Sequence, residues 1–203
     1  MPQAVAELSF PKGRHLYHQG DAVRGAFSLT AGLVVLERVN EEGEMVILKL
    51  LKPGALFPCS DLFTDGLHAT GARAMTDSAA CFIPGDRLAA SLADPAISRM
   101  VVEWGCHEAK ENEKIIFRLC GADLGERILA VLRDLAAGTP RAADGTLSLT
   151  LPISWRDVAA MVGTSPEALS RTLRRMAEHG RLCFTGRRVT LPPENSTGAR
   201  RAV

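Results

Sequence analysis

The 203-residue sequence predicts an α+β chain in three parts: a strand-rich roll, one long helix, and a helix-turn-helix followed by a small wing. Three observations predict it. From Phe10 to about Pro84, short apolar segments are broken by turn residues at close intervals. Residues 96–120 then run without a proline. Residues 152–182 hold two short amphipathic stretches around a glycine-containing turn.

The turn signals of the first part are Gly13, Gly20-Asp21, Gly32, Glu41-Glu42-Gly43, Pro53-Gly54 and Asp65-Gly66. Leu33-Val34-Val35-Leu36 leads into a hairpin at Asn40–Gly43, and Met45-Val46-Ile47-Leu48 follows as a strand expected to be largely buried because it alternates little. Cys81-Phe82-Ile83 reads as a closing strand, and 87–92 as a short helix ending near Asp94-Pro95. Asp21, Asp61 and Asp65 read as turn residues.

The long helix carries Val101, Trp104, Ile115 and Leu119 at helical intervals, with Glu108, Glu111 and Arg118 along part of the same seam. One reading packs it on the roll. The favoured reading makes it a homodimer helix, because a two-fold helix-turn-helix protein needs a symmetric contact that sets its two heads about one DNA turn apart. Gly121-Ala122-Asp123 is the expected hinge, followed by a helix over 124–137 and a loop. The expected division is a roll at 1–95, a dimerisation helix and hinge at 96–121, and a winged helix-turn-helix at 122–203.

In that last part, Ser154 is a helix cap with Asp157 three residues on, an acidic variant of the capping box. Val158, Met161 and Val162 share the inner face, Gly163 allows the turn, and Thr164 or Ser165 caps a second helix with Pro166 in its first turn. Leu169, Leu173 and Met176 form its buried stripe, which leaves Glu167, Ser170, Arg171, Arg174 and Arg175 outward. Such a helix fits the major groove, where a guanidinium holds guanine O6 and N7 and a carboxylate accepts from a cytosine amino group. Ser154, Arg156 and Ser165 flank it as further candidates for contact with DNA. A hairpin around Thr185-Gly186-Arg187-Arg188 would bring Arg187 and Arg188 beside phosphates. Residues 122–203 hold 12 Lys or Arg against 8 Asp or Glu, a charge of +4, whereas the rest holds 12 against 15, a charge of −3. The small total of +1 therefore hides a basic end suited to a polyanion.

No apolar run reaches membrane-spanning length and no secretory signal is evident at the N-terminus, so cytoplasmic residence is the expectation. Five scattered cysteines form no Cys-x-x-Cys pair, which fits free thiols in a reducing compartment. The five histidines are too dispersed for the local ligand set of a cupin-type metal enzyme, and no nucleophile and base stand together; a regulator rather than an enzyme is expected.

The phrases YHQGD (17–21), LTAGLVVLERVNEEGE (29–44), LLKPGALF (50–57) and VAAMVGTSPEALSRTLRRM (158–176) resemble the CRP/FNR family of bacterial transcription regulators over nearly the whole chain. The resemblance implies a jelly-roll domain like the cyclic-nucleotide-binding domain, a long dimerisation helix, and a winged helix-turn-helix on palindromic promoter DNA with RNA polymerase as a further partner. The family's paired Glu and Arg match Glu167 and Arg171. Ser170 before the Arg is similar to the FNR branch, which implies a TTGA-like half-site: Arg171 on the guanine, Glu167 on the opposing strand, Ser170 at the thymine end.

For the signal, the resemblance points several ways. Cyclic-nucleotide binders carry Gly-Glu-Leu and then an Arg-Ser pair. Pro58-Cys59-Ser60 and Ala69-Thr70 stand at those places, with Arg73 displaced in register, which argues against cyclic AMP. An iron–sulfur cluster needs four thiolates, and the first 58 residues have none; Cys59, Cys81, Cys106 and Cys120 are the remaining set. Haem would draw on Cys59, His15, His18, His68 or His107. Cys59, His68 and Cys183 are the effector or redox candidates, Cys183 because its oxidation beside the DNA would add charge or bulk. A regulator that senses nothing is the open alternative, and no metal set is assigned.

Overall fold

The computed structural model describes residues 7–58, 60–64 and 66–193, and the chain divides into two compact units, one ending at Ile116 and one beginning at Phe117. The first unit opens with β1 (Glu7–Phe10), β2 (His15–Tyr17), β3 (Gly25–Ala31), β4 (Val34–Val39), β5 (Met45–Leu51), β6 (Leu56–Phe57), β7 (Gly71–Ala74) and β8 (Ser78–Pro84). They form two four-stranded antiparallel sheets in the orders β1-β8-β3-β6 and β2-β7-β4-β5. Phe27, Leu29, Phe57 and Ala80 of the first sheet meet Tyr17, Val34, Leu51 and Ala72 of the second in one core, so the roll is a β-sandwich with apolar inner faces.

The β4–β5 hairpin forms around Asn40, whose side-chain Oδ1 accepts the N–H groups of Glu42 and Glu44. β5 departs from the expectation of full burial. Ile47 and Leu51 are buried, but Val46 and Leu48 are 39% and 45% exposed. β5 is the edge of its sheet, and the pairing with β4 slips between Leu36 and Glu37, so the strand keeps one covered face and one open one.

His68, expected on a surface loop, is buried at 4% exposure and stacked on Tyr17 with ring centroids 3.6 Å apart. Asp61 is more than a turn residue: it is buried, with Oδ2 accepting the Ala69 N–H at 3.1 Å and standing 3.7 Å from His68 Nδ1. Desolvation holds the His68 imidazole below its ordinary value of 6.5, against the opposing pull of Asp61 and Asp21. The unfolded chain therefore binds the proton more readily, so the stability tied to His68 is complete above about pH 6.5 and is lost as pH falls below it. A lower urea midpoint at pH 5.5 than at pH 7.5, with the gap narrowed in His68→Phe, is the expected result. An unchanged gap in the variant would assign the effect to other groups.

α1 (Gly85–Ser91) leads into α2 (Pro95–Gly121), a 27-residue helix with no fully buried side chain. Two 3–4 stripes run along it. Val101, Trp104, Glu108, Glu111 and Ile115 are half-buried, and Lys49 of β5 binds Glu108 directly, which ties this stripe to the chain's own roll. Within the single chain the charged residues expected along the subunit seam are already paired: Glu108 neutralises Lys49, and Glu111 meets Lys114 at 2.6 Å on the helix surface. The second stripe is Val102, Gly105, Ala109, Asn112, Ile116 and Leu119, and every member is exposed. Its steps of three and four residues make an unbroken heptad pattern.

The second unit contains α3 (Leu124–Leu135), β9 (Leu147–Thr150), α4 (Trp155–Met161), α5 (Pro166–Glu178), β10 (Cys183–Thr185) and β11 (Arg188–Leu191). Ile128, Leu132, Leu151, Ile153, Val158, Val162, Leu169, Leu182 and Val189 fill its core. The wing has three strands, β10-β11-β9, where two were expected. β9 came from a stretch read as loop, although Leu147, Leu149 and Leu151 alternate with Ser148 and Thr150 and are buried.

Candidate nucleic-acid interface

The helix-turn-helix is built by its caps. Ser154 Oγ accepts the Asp157 N–H and Asp157 Oδ2 accepts the Ser154 N–H, both at 3.1 Å, so the capping box closes reciprocally. Gly163 takes φ +64°, a backbone state that favours glycine, and the Val162 carbonyl beside it accepts Arg127 Nη1 of α3 at 2.8 Å. Ser165 then caps α5 by accepting the Ala168 N–H at 3.2 Å, ahead of Pro166 in the first turn. These bonds settle the angle at which α5 leaves the turn.

Leu169, Thr172, Leu173 and Met176 are buried on the inner side of α5. Glu167, Ser170, Arg171, Arg174 and Arg175 are all exposed on the other, as the helical spacing predicts. Thr172 joins the buried stripe by its place on the helix, which apolarity alone did not flag. The Glu167 carboxyl is held below the usual range by its own backbone N–H, then by the Ser165 hydroxyl and the Arg171 charge. It is therefore an acceptor throughout the neutral range, the form a cytosine amino group requires.

The flanking candidates divide. Arg156 and Arg188 are exposed. Ser154 and Ser165 are exposed too, but their hydroxyl oxygens are engaged as caps. Arg187 is exposed as well, with Nε and Nη2 donating to the Leu151 carbonyl at 2.9 and 2.5 Å, which holds the guanidinium against the wing. Trp155, which the sequence did not single out, donates its indole N–H to the Gly186 carbonyl at 2.8 Å. Its position as first residue of α4, facing a glycine turn, was the available signal.

Of the effector candidates, Cys59 lies outside the described residues, His68 is buried in the roll, and Cys183 is exposed at the start of β10. Cys81 lies on β8, with Cys106 and Cys120 on α2. Among the described residues, no three His, Cys, Asp or Glu side chains gather as a metal site. Within them, too, no helix is long and apolar enough to cross a membrane.

Residues 7–94 match the model of the cyclic nucleotide-binding domain, and residues 126–194 match the Crp-like helix-turn-helix domain. The chain is 24% identical to the CRP-like cAMP-activated global transcriptional regulator of Mycobacterium tuberculosis, over 99% of this chain and 93% of that one. It is also 24% identical to the fumarate and nitrate reduction regulatory protein of Vibrio cholerae, over 89% of this chain and 72% of the other. Among solved structures, FixK2 from Bradyrhizobium japonicum has a similar fold, with a TM-score of 0.79 at 22% identity and 99% of both chains covered. A CRP/FNR-family regulator from Thermus thermophilus gives 0.77 at 25%, covering 94% of this chain and 95% of that one. With both domains in this order, a capped reading helix and relatives matched along the chain, the protein belongs to the CRP/FNR family of DNA-binding transcription regulators.

Proposed function

We propose that this protein is a cytoplasmic homodimer that reads a TTGA-like palindrome in promoter DNA, places RNA polymerase there, and responds through its roll to a signal other than a cyclic nucleotide. The observation that carries the reading is the exposed face of α5, where Glu167 and Arg171 lie one turn apart above a fully buried stripe. Arg171 takes the guanine, Glu167 the opposing strand and Ser170 the thymine end; Arg174, Arg156 and Arg188 hold phosphates. Roll, long helix and winged head are assigned to 1–95, 96–121 and 122–203.

The exposed stripe of α2 supports the dimer. Val102, Ile116 and Leu119 offer apolar contact, Gly105 and Ala109 allow close approach, and Asn112 gives the polar position that fixes register in paired helices. Two such helices place the reading heads for adjacent major grooves.

A cyclic nucleotide does not fit the roll. Beside Ala69-Thr70, where the resemblance places the phosphate's Arg-Ser pair, Asp61 and His68 are buried, and Asp61 already takes the Ala69 N–H and the Ser60 hydroxyl. An anion brought there would meet a desolvated carboxylate. Titration calorimetry with cyclic AMP and cyclic GMP is expected to show no binding, and tight binding of either would overturn this part of the reading. Haem or an iron–sulfur cluster is tested by the absorption spectrum of anaerobically purified protein, where a Soret band or a broad visible shoulder, respectively, would identify it. The rival reading, a regulator without an effector, predicts DNA affinity unchanged by oxygen, nitric oxide or peroxide.

A further inference from the structure

The turn of the wing is shorter and more tightly held than its sequence suggests. Thr185 pairs with Arg188, so only Gly186 and Arg187 connect β10 to β11, with Gly186 at φ +58° in the first position, as a II′ turn requires. Five bonds or ring contacts fasten this turn. The Trp155 indole N–H donates to the Gly186 carbonyl at 2.8 Å, and its ring meets Phe184 edge-on at 5.8 Å. The Arg187 guanidinium grips the Leu151 carbonyl through two nitrogens, and the Leu151 N–H donates back to the Arg187 carbonyl at 2.8 Å.

Trp155 is not core filler. It is half-buried, while Leu151, Ile153, Val158 and Val189 beside it in the fold are fully enclosed. It stands between Ser154 and Arg156, and Arg156 is exposed; the turn that it holds is followed directly by Arg188, also exposed. One indole therefore couples the start of α4 to the tip of the wing, each bearing a free-facing cation.

We infer that Trp155, with Arg187, is a positioning residue for DNA: it locks Arg156 and Arg188 into one preset pair of phosphate contacts. The inference rests on the DNA reading of the second unit and adds to it the residues that set its grip on the backbone. Arg187 serves by holding the turn rather than by touching a phosphate. A wing fixed in advance loses little freedom when DNA arrives, and that saving appears as affinity for any sequence.

The test uses the full chain with two substitutions. Trp155→Phe keeps a ring against Phe184 and removes the N–H. Arg187→Lys keeps the charge and removes the two-pronged grip. Each is expected to lose about three- to tenfold in affinity for the cognate palindrome and for a scrambled duplex alike, with a shallower salt slope and an unchanged melting temperature. Because the chain has two tryptophans, Trp104→Phe leaves Trp155 as the only indole, and its emission is expected to be the same free and DNA-bound. Full affinity in Trp155→Phe, a loss confined to the cognate sequence, a loss matched by a lowered melting temperature, or an emission shift on binding would each overturn the inference. Full affinity in Arg187→Lys would make Arg187 a direct phosphate contact and overturn its assigned part. These results differ from a failure of the reading helix, which Arg171→Ala reports by itself.

Discussion

An Arg171→Ala protein is expected to lose about 1–3 kcal/mol on the cognate palindrome, roughly 5- to 150-fold per half-site at 1.4 kcal/mol per decade, and almost nothing on a scrambled duplex. The asymmetry follows from what the side chain faces. Arg171 is exposed on α5, away from Leu169, Leu173 and Met176, so its removal leaves the packing of the helix untouched. What disappears is a two-pronged contact to one base edge, and a phosphate contact would instead be lost on every sequence. Fluorescence anisotropy on duplexes substituted one base pair at a time checks it: the variant should become indifferent to the guanine position alone. A uniform drop across all duplexes would place Arg171 on the backbone and remove the specific half-site from the proposed function.

An equally large effect is expected of Ile116→Glu. Ile116 is 60% exposed in the single chain, so a carboxylate there costs the fold little, but in a pair of parallel helices it would set two like charges across a dry seam. Sedimentation should show a monomer with an unchanged melting temperature for each unit. Palindrome affinity should fall by about a hundredfold or more, because the second head no longer binds at the raised effective concentration that a joined partner provides. Glu111→Leu supplies the contrast. Glu111 lies on the other stripe, bonded to Lys114, and its change should leave the association state alone. A dimer that survives Ile116→Glu and breaks with Glu111→Leu would mean that the helix pairs through the opposite face.

The helix-turn-helix was legible because its signals are local. Ser154, Asp157, Gly163 and Ser165 act within three residues of themselves, and each does in the structure what its spacing announces. Arg187 was not legible in the same way, since its partner is a carbonyl 36 residues earlier, directly after a strand that the sequence had hidden in a loop. The two stripes of α2 show a different limit. Val101, Trp104 and Ile115 drew the eye by bulk, yet bulk marks only that a face is covered; they are half-buried in the single chain, on the stripe where Glu108 pairs with Lys49 of β5. Gly105, Ala109 and Asn112 looked like nothing in particular, although small and polar residues at heptad spacing are what a close helix pair uses. His68 reads as a loop residue by its neighbours Gly66 and Leu67, and its burial is settled by the distant Tyr17 ring.

The Arg127 bond to the Val162 carbonyl has a bearing on how any signal must travel. It joins α3 to the turn of the helix-turn-helix, Arg181 binds Glu126 at 2.5 Å, and Trp155 fastens the wing to α4. These bonds tie α3, the turn, α4 and the wing together within one compact unit, so a swivel of the reading helix alone would have to break them. In the homodimer proposed above, any change in the stride between two such heads would have to be made upstream of α3, and we propose Gly121 to Asp123 as the steering joint that carries everything after it along.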